Sequence, residues 1–378
     1  MLILLDCRPL QYASDYGEKN FFILSCTTIL SRLQDVKWWF LVDGSYEEGQ
    51  LPGLPADRIV QRKALPGLTG WKMWYEWHIP AMVKKLEPDL VITTGSRTAT
   101  RLTIPQCLWL LEGIEPASSG KKKTGRIDQK GLAKSLADAA VVFTFSEKDK
   151  NFLTGLPAIA VTHAKILVVS GAPEEGYRPF TVEEREKVKS TYAAGKEYFL
   201  ADVTGASSDQ RVNLLKAFSL FKKRQLSNMQ LVLAGKNAEA SADFEKKLET
   251  YKYRADIHLT GALSQAEWIS LMGGAYGFLF PFPAESLGTP VLNAWKAGVP
   301  VITSANGYLP ELTGDRVLLA KPGDPASLAG HLMTIYKDEG LRSSLIEKGK
   351  DRLPDFTKDA AVEKIWSGIN RALGKEEE

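Results

Sequence analysis

One segment of the chain, residues 277–302, has the order strand, acidic loop, helix, strand, and it constrains the fold more than any other part of the sequence. The apolar run 277–280 predicts a buried strand. Pro290 fits the first turn of a helix, and Gly298 ends that helix before the apolar run 299–303. This order is typical of a parallel sheet whose two faces are covered by helices.

The loop and the helix start bring a carboxylate and backbone N–H groups to one crevice. At the carboxyl end of a parallel sheet, the N–H groups of Leu287, Gly288 and Thr289 can bind an anion. Glu285, in the preceding loop, can accept hydrogen bonds from hydroxyl groups. Phosphate together with hydroxyls describes a nucleotide sugar, so the sequence predicts a site for that class of ligand.

Short apolar runs alternate with helical patterns along the chain, and they fall into two sets separated by a break at residues 170–176. Strands that alternate with helices predict parallel sheets, so we expect an α/β protein with two Rossmann-like domains. The expected divisions are an N-terminal domain over residues 1–175, a C-terminal domain over residues 176–355, and a final amphipathic helix with a charged tail over residues 356–378.

The composition is that of an ordinary globular protein. A hydrophobic content of 44% and a charged content of 25% exclude disordered and fibrous classes. The formal net charge of +3 is too small to indicate a nucleic acid as partner. Cys7, Cys26 and Cys107 lack paired spacing, which favours buried thiols in a reducing compartment over disulfides or a metal site. The apolar start, Leu2–Leu5, is too short for a signal peptide or a membrane span, so we expect a first strand and a cytoplasmic location.

Residues 285–293 resemble the donor-site motif of the retaining glycosyltransferases of family 4, written Glu-x7-Glu, with Asn293 in place of the second glutamate. Four further segments follow the order and spacing of that family: 213–218, 231–235, 309–312 and 322–325. The resemblance implies the GT-B fold, in which two Rossmann-like domains face each other across a cleft and the C-terminal helix crosses back to the N-terminal domain. It also implies transfer of a hexose, with retention, from a nucleotide sugar to a glycan or lipid-linked acceptor.

The same resemblance assigns roles to single residues. It places Glu285 at the transferred sugar and Asn293 at the ribose, where the family's glutamate accepts hydrogen bonds from both hydroxyls. Leu287, Gly288 and Thr289 are expected at the donor phosphate, and Gly235 and Arg211 complete the donor-binding set. Glu112 follows the strand after which many family members carry a His-Asp pair, and it is expected to keep an acidic catalytic role. No Asp-x-Asp sequence occurs in a loop where it would hold a metal, so the resemblance implies metal-independent transfer.

Several departures from the family leave a second interpretation open. Family members usually carry an Arg and a Lys before segment 213–218, where this chain has Thr204 and Asp209, so Arg211 is the remaining cation. The family's histidine near the reacting sugar is also absent, because the sequence there is Leu111, Glu112 and Gly113. The alternative is a catalytically degenerate scaffold or partner protein that has kept the fold.

Two N-terminal features fit contact with a membrane or an acceptor, and each also has a purely structural interpretation. Residues 71–85 form an aromatic and basic helical stretch, broken at Pro80, that fits a lipid headgroup boundary or a buried core helix, and the core interpretation is preferred. The basic loop 121–126 fits an anionic lipid-linked acceptor, a bilayer surface or a solvated loop. Peripheral contact with the inner membrane surface therefore remains an open expectation.

Overall fold

The computed structural model describes residues 1–12, 17–47, 51, 54–64, 67–111, 129–155, 165–235, 242–281 and 287–375. The chain forms two compact units. The first comprises Met1–Gly171, Glu285–Leu287 and Lys358–Glu378, and the second comprises Ala172–Ala284 and Gly288–Thr357.

The first unit contains a sheet of seven parallel strands in the order β3-β2-β1-β4-β5-β6-β7. The strands are β1 (Leu2–Asp6), β2 (Lys37–Asp43), β3 (Ile59–Arg62), β4 (Leu90–Thr94), β5 (Gln106–Trp109), β6 (Val141–Thr144) and β7 (Ile166–Val168). Its helices are α1 (Arg8–Tyr12), α2 (Gly17–Leu33), α3 (Gly67–Met73), α4 (Ile79–Leu86), α5 (Gln129–Asp138) and α6 (Glu147–Thr154). The central strands are buried on both faces, which explains why their sequences are continuous apolar runs.

The aromatic stretch near residue 75 is mainly a core helix, as preferred from the sequence. A π-helical turn, Trp74–His78, joins α3 to α4 and buries Trp74 and Tyr75 against β1, β2 and β4. Trp77 on the same turn is 66% exposed. The regular α-helix is interrupted next to Pro80 as expected, because the π-helical turn ends at His78 and Pro80 lies in the first turn of α4.

The second unit contains six parallel strands in the order β10-β9-β8-β11-β12-β13. The strands are β8 (Tyr198–Asp202), β9 (Gln230–Ala234), β10 (Ile257–Leu259), β11 (Gly277–Phe280), β12 (Val301–Ser304) and β13 (Leu318–Ala320). The helices are α7 (Val182–Tyr192), α8 (Ser208–Gln225), α9 (Ala242–Glu249), α10 (Gln265–Gly274), α11 (Thr289–Lys296), α12 (Leu309–Thr313), α13 (Pro325–Lys337) and α14 (Glu339–Arg352). Residues of α8, α9 and α13 cover one face, and residues of α10 and α11 cover the other.

The last helix, α15 (Lys358–Ala372), packs on the first unit although it follows the second in the chain. Gly368 allows the contact, because a Cβ there would lie 2.6 Å from Phe143 Cε1 on β6. These observations confirm the predicted fold class of two Rossmann-like domains with a C-terminal helix that crosses back. None of the helices in the described ranges is both long and apolar enough to span a bilayer.

Candidate functional site

The strand order of the second unit defines where a ligand crevice should lie. The chain continues from β8 to β9 on one side of the sheet centre and from β11 to β12 on the other. The connecting helices α8 and α11 therefore cover opposite faces of the sheet. Ligands of open α/β sheets bind at the carboxyl ends of the strands beside such a switch point. The loop 203–207 after β8 and the carboxyl end of β11 meet this description.

The ends of β8 and β9 approach each other closely at Gly235. This glycine has a φ of +126°, and a Cβ there would overlap Thr204 Oγ1 and lie 3.2 Å from Asp202 Oδ1. The loop is fixed by two hydrogen bonds, from Val203 N to Ala234 O (2.9 Å) and from Thr204 N to Asp202 Oδ1 (2.8 Å). Only glycine tolerates both the backbone conformation and the close contact. The predicted donor residue Gly235 therefore lies at the edge of the switch-point crevice.

Helix α8 begins at this crevice with a capping box. Ser207 caps the helix through the N–H of Gln210, and the Gln210 side chain accepts in return from the Ser207 N–H. Asp209 lies exposed in the first turn, where its charge stabilises the helix dipole. A carboxylate in this place repels a diphosphate instead of balancing its charge.

Arg211 is held in place by contacts within the protein. Its Nε and Nη2 donate to the carbonyl of Ala206 (3.2 and 2.9 Å), and its guanidinium carbon lies 5.6 Å from the centre of the Phe244 ring. Burial lowers the pKa of this guanidinium, and its Nη1 makes no hydrogen bond with any residue that the structure describes. The side chain therefore holds the loop before α8 in place, and its predicted phosphate contact stays a prediction.

The first turn of α11 is set by Gly288, which has a φ of +76°. A Cβ at this position would overlap the side chain of Leu312 on α12, so the turn is both left-handed and tightly packed. Leu287 and Thr289, on either side, are buried. Glu285 and Glu112 lie outside the described residues, as does the basic loop 121–126, and their predicted roles stay predictions.

Asn293, one turn further along α11, is 5% exposed and has protein partners. Its Oδ1 accepts from the backbone N–H of Glu174 (2.8 Å), and its side chain lies near the Tyr177 hydroxyl, whose pKa it lowers against the larger effect of burial. Lys296 Nζ donates to the backbone carbonyl of the same Glu174 (2.8 Å). This geometry gives no support to the expected ribose contact. Sequence reasoning missed the contact because the two residues are 119 positions apart.

Comparison with known proteins identifies the part of the chain that contains this crevice. Residues 186–352 match the family described as Glycosyl transferases group 1. These matched residues make up most of the second unit. The O-antigen chain mannosyltransferase B of Escherichia coli is 25% identical over 236 residues, which is 61% of this chain and 61% of that protein. The chain therefore aligns with less than two thirds of the length of this relative.

Solved structures match nearly the whole chain. A glycosyltransferase from Rickettsia africae superimposes with a TM-score of 0.74 at 15% identity, covering 99% of each chain. Anabaena HepE, solved in complex with UDP and glucose, superimposes with a TM-score of 0.71 at 13% identity, covering 97% of this chain and 99% of that one. At these identities the likeness shows the fold, and it confirms the GT-B architecture inferred from the sequence.

The second unit has a small pocket at the same edge of its sheet, between α8 and α13. It offers about 50 Å³ and is lined by Gln210, Asn213, Pro281, Lys321 and Asp324 among others. This space holds only a few water molecules, so it is too small for a nucleotide. The carboxylate of Asp324 accepts from the N–H groups of Ala326 and Ser327 and so caps α13.

In the first unit, a charged cluster lies at the carboxyl end of β1, where sequence reasoning had marked only an apolar strand. Asp6 Oδ1 accepts from Trp74 Nε1 (2.9 Å) and from the Arg8 N–H (3.2 Å), and Arg8 Nε lies 3.0 Å from Asp43 Oδ2. Burial is the main cause that raises the pKa of Asp6 to about 7. The acid at the end of each apolar run was the available signal.

The three cysteines are free and buried, as predicted. Burial raises the pKa of the Cys26 and Cys107 thiols to about 12, and it raises that of Cys7 as well. These thiols therefore stay protonated and unreactive at neutral pH.

Proposed function

We propose that this protein transfers a hexose, with retention, from a nucleotide-diphosphate sugar to a glycan or lipid-linked acceptor. The observation that carries the proposal is the switch-point crevice of a group 1 glycosyltransferase domain, closed on one side by the first turn of α11. The mannosyltransferase relative supports a hexose, and the UDP and glucose bound to HepE support a nucleotide sugar as the donor.

In this proposal the backbone of the α11 first turn receives the donor diphosphate. The N–H groups of Leu287, Gly288 and Thr289 face an anion at the positive end of the helix dipole. Glu285 accepts hydrogen bonds from the transferred sugar, Gly235 lets the donor approach the β9 end, and Glu112 supplies a carboxylate on the acceptor side. Retention follows when the acceptor hydroxyl attacks from the face that the leaving diphosphate occupies, so that the diphosphate itself takes the acceptor's proton.

We further propose that transfer needs no metal ion and takes place in the cytoplasm, with peripheral contact at the inner membrane face. The exposed Trp77, together with the exposed Lys72, Lys84 and Lys85, is the surface that fits an anionic headgroup layer. A lipid-linked acceptor would be presented at that layer.

A second candidate, a catalytically degenerate scaffold, is favoured by one specific observation. Asp209 stands where the family has a cation, and the guanidinium of Arg211 is held by Ala206 and Phe244. Losing one preorganised donor typically costs on the order of a hundredfold in rate. We therefore expect slow transfer, and a complete absence of transfer would favour the scaffold.

The test is transfer of labelled hexose from UDP-, GDP- and ADP-sugars to glycan and lipid extracts, with the anomeric configuration of the product read by NMR. We expect a product of retained configuration that forms equally in EDTA and is lost in Glu285→Gln. The matched control is Glu347→Gln, an exposed change on α14. A product of inverted configuration, or transfer that EDTA abolishes, would contradict the proposed mechanism.

A further inference from the structure

The chain enters the second unit through residues 172–177. This segment is bound to α11 by the backbone N–H and the backbone carbonyl of Glu174. The Glu174 N–H donates to Asn293 Oδ1 and the Glu174 carbonyl accepts from Lys296 Nζ, each at 2.8 Å. Asn293 and Lys296 are three residues apart, so they project from the same side of the helix. One helix face therefore satisfies the whole backbone of Glu174.

Burial makes this arrangement hard to combine with a ligand contact at Asn293. Asn293 is 5% exposed, and the neighbouring Tyr177 is buried too. An amide has one oxygen to accept and one NH₂ group to donate. The Glu174 N–H takes one of the acceptor sites of the oxygen, and burial of the side chain restricts the access of a ligand to the rest.

The chemistry also explains why an amide suits this position better than a carboxylate. The negative charge of Glu174 acts on the hydroxyl of Tyr177 and is one of the causes that raise the pKa of that group, so Glu174 lies near the Asn293 side chain. A second carboxylate at position 293 would be buried beside the first, and like charges at short range disfavour each other. A neutral acceptor avoids this repulsion.

We propose that Asn293 is a positioning residue that fastens segment 172–177 to α11, and that it takes no hydrogen bond from the ribose of a nucleotide. This inference rests on the proposed function in that α11 is also the helix whose first turn receives the donor phosphate. The anchored segment and α11 then form one rigid piece, so that the position of the phosphate-binding turn is tied to the chain that enters the unit.

The anchor is tested without any ligand by hydrogen exchange of the peptide that contains Glu174. Asn293→Leu keeps the shape of the side chain and removes the acceptor, so we expect the Glu174 amide to exchange roughly tenfold faster. Asn293→Asp keeps an acceptor oxygen but adds a charge near Glu174, so its exchange should rise less than in Asn293→Leu. Asn228→Ala, an exposed change in the same unit, is the matched control. Unchanged exchange in Asn293→Leu would overturn the anchor.

The ribose claim is tested by comparing UDP with 2′-deoxy-UDP. We expect the ratio of their dissociation constants to be the same in the wild type and in Asn293→Leu, because residue 293 does not contact the 2′-hydroxyl. Asn293→Glu should not tighten UDP binding. A ratio that falls toward one in Asn293→Leu, or tighter UDP binding by Asn293→Glu, would overturn this part. If the wild type binds no UDP, the donor proposed above is wrong, and the exchange of the Glu174 amide alone decides the anchor.

Discussion

At the residue scale, burial moves the pKa of the Asp6 carboxyl into the physiological pH range. Its carboxyl is 1% exposed, and Oδ2 accepts no hydrogen bond from any residue that the structure describes. Burial outweighs the hydrogen bonds from Trp74 and Arg8 and the positive charge of Arg8, so the pKa rises from 3.8 to about 7. The folded state therefore holds this proton more strongly than the unfolded state does.

Asp6→Asn should make the free energy of unfolding less dependent on pH. The stability that the protonated Asp6 contributes is present below about pH 4 and is lost as the pH rises through about 7. The slope attributable to Asp6 is at most about 1.4 kcal/mol per pH unit in this window. Urea unfolding at pH 5 and pH 8 measures it, with the exposed change Asp57→Asn as control. An equal pH slope in Asp6→Asn and the wild type would contradict the assignment.

Arg211→Gln should lower stability more than it lowers nucleotide affinity. The guanidinium makes two hydrogen bonds to the Ala206 carbonyl, so its loss should cost about 1–3 kcal/mol of unfolding free energy. Nucleotide-sugar affinity should change by less than roughly threefold if the guanidinium serves mainly to hold the Ala206 carbonyl. Calorimetric titration and urea unfolding are compared with those of Lys216→Gln, an exposed change on the same helix. A large loss of affinity at unchanged stability would make Arg211 a phosphate ligand.

At the element scale, the sequence predicted strands well wherever an apolar run was bounded by breakers. The run 277–280 matches β11, and α11 begins at Thr289 as expected. Local pattern could not supply the π-helical turn at Trp74–His78, because it depends on packing against distant strands. The contact between Glu174 and Asn293 was equally beyond reach, since the motif marks position 293 as a ligand residue and gives no sign of a protein partner.

Two glycine-to-alanine substitutions, one on α15 and one on α13, should have opposite effects on stability. Gly368→Ala should destabilise by about 1–3 kcal/mol, because its Cβ would lie 2.6 Å from Phe143 Cε1. Gly330→Ala, within α13, meets no atom within 4 Å and should stabilise by up to about 1 kcal/mol through helix propensity. Urea unfolding measures both. A stabilising Gly368→Ala would contradict the described packing of α15.

If the surface around Trp77 is the membrane contact, substitutions there should weaken binding to anionic vesicles. Trp77→Ala and the pair Lys84→Glu and Lys85→Glu should each reduce cosedimentation with phosphatidylglycerol vesicles, since each exposed lysine adds about 1 kcal/mol near an anionic surface. Exposed lysines on α8, such as Lys216→Glu, provide the control. Equal binding by all variants would exclude this surface as the membrane contact.

At the scale of the whole molecule, a GT-B fold is combined with acidic side chains at the carboxyl edge of the second sheet. The described edge presents Asp202 and Asp209, while Arg211 is packed inward. The fold and the position of the crevice followed from the alternation of strands and helices. The hydrogen-bond partners of Arg211 and Asn293 could not be predicted in the same way, because the direction of a side chain depends on its three-dimensional surroundings.

Thermal unfolding of the full chain with UDP-, GDP- and ADP-sugars and the free nucleotides tests the central claim most directly, because only a formed donor site can be stabilised by them. A donor present at 100 times its dissociation constant should add about 2.7 kcal/mol to the free energy of unfolding. We predict such a stabilisation with one nucleotide sugar, reduced in Glu285→Ala and retained in Glu347→Gln. No stabilisation by any of these compounds at millimolar concentration would contradict a working donor site and leave the degenerate scaffold as the account of this protein.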